Sequence, residues 1–147
     1  MMLKTKMPWK VWLFMLMSSV LLATGCAPST EQIAHEAAVS LAKKQVQNIS
    51  QNLPVSAGGY TLVLAQSSGA TIKMTFLSGA VDMTTQSPGL FFQSFQKEMC
   101  ADPAVKTVLT EGVDYSITIN EARSGSHYQH KLNATNCGVV KKLPTAV

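Results

Sequence analysis

The stretch YTLVLAQSSGATIKMTFLS, Tyr60 to Ser78, decides how the chain folds, because its apolar residues recur at every second position. Tyr60, Leu62 and Leu64 share one strand face. Ser67-Ser68-Gly69 makes a turn, and Ile72, Met74 and Phe76 then alternate with Thr71, Lys73 and Thr75 in a returning strand. The design is repeated nearer the C-terminus. There Tyr115, Ile117 and Ile119 alternate with Ser116, Thr118 and Asn120, a turn falls near Ser124-Gly125, and Tyr128 and Leu132 alternate with Gln129 and Lys131. Two antiparallel hairpins of this kind predict a sheet of about four to five strands with one apolar face and one polar face left to water. Residues 81–87 are open to reading as a further strand.

Outward from the first hairpin the period changes to that of a helix. Ala38, Ala42, Val46, Ile49 and Leu53 lie on one face of a helix from Glu31 to about Asn52, with Ser29 or Thr30 as N-cap and Pro54 and Gly58-Gly59 as its end. Between the hairpins, Pro88 is suited to the first turn of a second helix running to about Cys100, whose apolar side carries Phe91, Phe92, Phe95 and Met99. Asp102-Pro103 starts a third, short helix through Val105, Val108 and Leu109, which Gly112 ends. Helices packed on the apolar face of the sheet make a two-layer α+β domain.

The first 25 residues are an address label, to be set aside before fold reasoning. Lys4, Lys6 and Lys10 form a positive n-region, and the apolar run Val11 to Ala23 is too short, at about 1.5 Å per residue, for a ~30 Å hydrocarbon core. It ends in Leu22-Ala23-Thr24-Gly25-Cys26, a lipobox-like site at which Cys26 is acylated and the peptide cut. The chain therefore divides into a lipoprotein signal peptide (1–25), a lipidated tether (26–30) and one folded domain (31–147). The mature chain keeps nine basic and eight acidic residues, so its net charge is +1 instead of the +4 of the whole chain, and nucleic-acid binding loses its support.

With Cys26 acylated, Cys100 and Cys137 are the only remaining thiols in a compartment that permits disulfides, and they are expected to pair and staple the helical layer to the sheet. No catalytic or cofactor-binding constellation stands out. His127 and His130 are three apart on a strand and point to opposite faces, His35 is alone on a helix, and no metal site is expected. The histidines read as solvated or incidental. The serines near glycine sit in turns and not in a GxSxG elbow, the acids Asp82, Asp102, Glu111, Asp114 and Glu121 are scattered, and no phosphate-binding glycine loop is present.

Four long strings carry more information than any motif. LAKKQVQNISQNLP (Leu41 to Pro54), GYTLVLAQSSG (Gly59 to Gly69), MCADP (Met99 to Pro103) and YSITIN (Tyr115 to Asn120) resemble the AspS-type (GspS-beta, YghG) pilotins of type II secretion, and the likeness spans nearly all of the mature chain, both cysteines included. The resemblance implies a non-enzymatic outer-membrane lipoprotein facing the periplasm. Its partners would be the C-terminal S-domain of the secretin subunit, the outer-membrane lipid through Cys26, and the lipoprotein-sorting machinery, since Ala27 is not the aspartate of inner-membrane retention.

A short partner segment that orders on binding is commonly a helix laid in an apolar groove or a strand added to a sheet edge. The helix bearing Phe91, Phe92, Phe95 and Met99 has more apolar surface than one face needs, so a groove bordered by Phe92 is the first expectation, with full burial of all four as the alternative. A rival reading is a periplasmic lipoprotein inhibitor of a hydrolase such as lysozyme, with the Ser124 to His127 turn as its key loop.

Overall fold

The computed structural model describes residues 27–78 and 86–142. Cys26, the signal segment and most of the stretch 81–87 lie outside the described residues, and Gln86 and Ser87 are not in a strand. Helix α1 spans Thr30–Ser50. Ser29 starts it with a capping box: its hydroxyl accepts from the Gln32 N–H (3.3 Å), and the Gln32 carboxamide oxygen accepts from the Ser29 N–H (3.0 Å). Strands β1 (Val55–Ala57), β2 (Tyr60–Ser68) and β3 (Thr71–Ser78) come next, then α2 (Pro88–Ala101), α3 (Pro103–Thr110), β4 (Asp114–Asn120) and β5 (His127–Leu132). Ser87 and Asp102 cap the two later helices, each followed by a proline at a position that needs no N–H donor.

The five strands form one sheet in the order β1-β2-β3-β4-β5. Both expected hairpins are present, β2 with β3 and β4 with β5, but they meet through a parallel pair, β3 with β4. The sheet is therefore mixed. A crossover that includes α2 and α3 returns the chain to the end of the sheet where β3 begins, so Thr71 lies opposite Asp114. The fifth strand is β1, where the sequence suggested only the approach to a turn.

Buried side chains form cross-strand rows, Ile72, Tyr115 and Leu132, then Met74 and Ile117, then Phe76 and Ile119, the last two rows ending on β5 at the half-buried His130 and the exposed Tyr128. Ala38 and Ala42 of α1, Phe91 of α2 and Val108 and Leu109 of α3 cover them in a single core. One expected alternation fails. Leu62 pairs with Phe76 and Leu64 with Thr75, so Val63 is an extra residue in β2, and this bulge reverses the facing of the strand beyond it. Leu64, expected inside, is 43% exposed, while Ala65 is 6% exposed and belongs inside. Cys100 and Cys137 are bonded, with Cα atoms 5.1 Å apart, and tie the end of α2 to the segment after β5.

Candidate functional site

Between α1 and the α2–α3 pair the helical layer does not close. The opening is a groove of about 480 Å³, within the range of roughly 300–1,000 Å³ usual for binding clefts. Leu62, Met74, Phe76 and Tyr115 of the sheet form its floor. One wall is the last turns of α1, with Ile49 between the rim residues Gln45, Asn48 and Asn52. Phe95 and Met99 of α2 and Val105 and Val108 of α3 make the other wall, and Val55 and Ala57 of β1 line its edge. Helix α1 meets the sheet through the small residues Ala38 and Ala42, while Val46 and Ile49 nearer its C-terminal end stay half-buried and Ile49 lines the groove.

One charged side chain, Asp102, lines the groove, at the junction of α2 and α3. One of its carboxylate oxygens accepts from the Ala104 N–H at 2.7 Å and so caps α3. Burial, with an added contribution from the Asp102 carboxylate, pushes the Tyr115 hydroxyl up to about 12, so it stays neutral. The groove can therefore take an apolar helix face and offers an acid at one end. It also adjoins β1, an edge strand paired only with β2, although three residues of edge provide little for strand addition.

The four residues singled out on α2 separate. Phe91 is 2% exposed and lies in the core, its ring centroid 4.8 Å from Tyr60, 5.1 Å from Phe76 and 5.4 Å from Phe95. Phe92 is not at the groove border. It points to β5, where its ring stacks on His130 at 5.1 Å, because successive helical positions are about 100° apart. Phe95 and Met99 line the groove. His130, read as solvated or incidental, is part of the packing, and its Nε2 is 2.8 Å from the Gln96 carboxamide oxygen.

Ile49, Val55 and Val105 are groove residues that reading the sequence did not assign to a site. The available signal was the continuation of the α1 stripe beyond the two alanines, toward a helix end that the sheet does not cover. Among the described residues no group of three potential metal ligands occurs, and no helix is long and apolar enough to cross a membrane.

Comparison with known proteins adds to this geometry. The profile of the type II secretion system pilotin, S protein, family matches residues 34–137. The protein named Pilotin AspS 2 of Escherichia coli O78:H11 (strain H10407 / ETEC) is 56% identical over 136 residues, which is 92% of this chain and 96% of that protein. Lipoprotein YghG of Escherichia coli (strain K12) is 55% identical over 136 residues, with the same coverage. Among solved structures, the pilotin EpsS of the Vibrio vulnificus type 2 secretion system superposes with a TM-score of 0.64 at 18% identity, covering 71% of this chain and 94% of that one, a likeness of fold.

Proposed function

This chain belongs to the type II secretion system pilotin family, and on that premise we propose that its groove receives an amphipathic helix from the C-terminal S-domain of the secretin subunit. The observation that carries this reading is the unfilled apolar groove between α1 and the α2–α3 pair. A helix 10–12 Å across, with apolar residues at i, i+3, i+4 and i+7, matches a cleft walled by two helices and floored by a sheet. A cationic residue on that helix would meet Asp102. The role is that of an assembly factor and not of an enzyme. The hydrolase-inhibitor alternative is not favoured, since the relatives carry pilotin and lipoprotein names.

Anchoring belongs to a different part of the chain. Residues 1–25 act as a lipoprotein signal, Cys26 is acylated, residues 26–30 are the tether, and the sorting machinery carries the protein, with bound secretin, to the periplasmic face of the outer membrane. Several acyl chains are needed, because a single chain gives only marginal membrane binding. The test of the groove is a titration of the mature chain carrying Cys26→Ser with a peptide spanning the secretin S-domain. Saturable binding, weakened at least tenfold by Ile49→Asp or Val105→Asp with the thermal midpoint preserved, is the expected result. Wild-type affinity in both variants would move the site elsewhere.

A further inference from the structure

The polar face of the sheet carries a second concavity, of about 350 Å³, which the secretin-binding groove does not use. Strand register places Gln66, Lys73, Ser116 and Lys131 in one cross-strand row, with Ser116 between the two lysines. At roughly 4.8 Å between neighbouring strands, Lys73 and Lys131 start about 10 Å apart and their side chains flank the serine. Ser116 is only 6% exposed although it lies on the solvent side. Its oxygen accepts a hydrogen bond from the Gln129 carboxamide (3.2 Å), which leaves the hydroxyl proton free to donate. Among the described residues the one ion pair is Lys142 with Glu111, so neither Lys73 nor Lys131 has a carboxylate within 4.0 Å. Asp114 also lines the pocket and offsets one of the two lysine charges, leaving a net +1.

We propose that this pocket, Lys73 and Lys131 about the Ser116 hydroxyl, binds the phosphodiester of an anionic membrane lipid headgroup. A phosphodiester is a monoanion and balances the pocket, whereas free phosphate at neutral pH is a mixture of monoanion and dianion. Position favours the same source. The pocket opens at the end of the sheet marked by the Gly69-Ala70 turn and the start of β4, where the Asp114 N–H donates to the Ala70 carbonyl at 3.0 Å. Ala38 of α1 lies at that end, with its Cβ 3.9 Å from where a Cβ on Gly112 would stand. Residues 30–37 continue past it as two mostly exposed helical turns, about 12 Å long, toward the tether. The pocket and the start of α1 thus lie at the same end of the sheet, on its two opposite faces, and the nearness of that end to the membrane rests on the proposed acylation of Cys26.

The test does not require acylation. The mature chain carrying Cys26→Ser is mixed with phosphatidylcholine vesicles with and without phosphatidylglycerol, and separately titrated with inorganic phosphate. Binding to the phosphatidylglycerol vesicles is expected. Lys73→Gln with Lys131→Gln should weaken it roughly thirtyfold, from the usual contribution of a lysine at an anionic surface. Lys43→Gln with Lys44→Gln, exposed on α1 and outside the pocket, should change it less than threefold, and all variants should keep the parent thermal midpoint. No vesicle binding, or an equal loss in both pairs, would overturn the site. Saturation by inorganic phosphate without preference for the anionic vesicles would overturn the lipid as its ligand. Because the chain is unacylated throughout, these outcomes are separate from whether Cys26 carries lipid.

Discussion

Replacing Phe91 by alanine should cost stability and leave partner recognition intact, whereas a change at Met99, two turns along the same helix, should do the reverse. Phe91 is 2% exposed and its ring lies within 6.0 Å, centroid to centroid, of Tyr60, Phe76, Phe92 and Phe95. Truncating a buried phenylalanine costs about 3–5 kcal/mol, the lost transfer energy plus the cavity. For a domain of this size each kcal/mol lowers the midpoint by roughly 3–6 °C, so a drop on the order of 10–25 °C is expected by circular dichroism. Below that transition the Phe91→Ala protein should bind the secretin peptide within about threefold of wild type. Met99→Lys, on the half-exposed groove wall, should melt within a few degrees of wild type and bind at least tenfold more weakly.

Gly58 supplies a second arm, because its φ is +58° and a Cβ there would sit 3.0 Å from the Phe91 Cδ2. Gly58→Ala should therefore be less costly in the Phe91→Ala background than in wild type, a coupling of about 0.5–3 kcal/mol for residues in contact. A Phe91→Ala protein that melts normally yet fails to bind would refute the packing argument and put Phe91 in the site.

The disulfide closes a span of 37 positions, so Cys137→Ser should lower stability by about 4 kcal/mol on the chain-entropy account, read as a fall in the urea midpoint; an unchanged midpoint would deny it a structural role. Tyr115 stays protonated in the folded state up to about 12, while its unfolded counterpart ionises near 10. Its stabilising effect is full below pH 10 and declines by about 1.4 kcal/mol per unit between pH 10 and 12, a slope that Tyr115→Phe should remove in urea titrations at stepped pH. The Tyr60 hydroxyl donates to the Gln86 carbonyl at 2.6 Å, and Tyr60→Phe should cost about 1 kcal/mol in the same assay. In cells whose only copy is Cys26→Ser, exported through an ordinary signal peptide, membrane fractionation should find secretin depleted from the outer membrane.

Local rules suffice where a residue's neighbours in the chain are also its neighbours in space. The capping serine and proline positions, the two hairpins, the α1 stripe and the cysteine pairing were all legible for that reason: each depends on periodicity, on backbone groups a few residues away, or on there being only two thiols to join. The resemblance to the pilotins was legible from long strings, which need no geometry. The tertiary structure decided what depends on partners distant in sequence. The bulge at Val63 exchanges Leu64 for Ala65 on the inner face because β2 must keep register with β3 on both sides of an extra residue. The parallel junction of β3 and β4 depends on where the crossover returns, which no local pattern encodes. The helix bearing Phe91, Phe92, Phe95 and Met99 has one apolar side in sequence but three neighbours in space: the core, His130 of β5, and a groove that exists only because α1 and the α2–α3 pair stop short of each other. Amphipathicity shows that a side chain must leave water, and only the packing of several elements determines whether it meets the protein's own core or a space left for a partner.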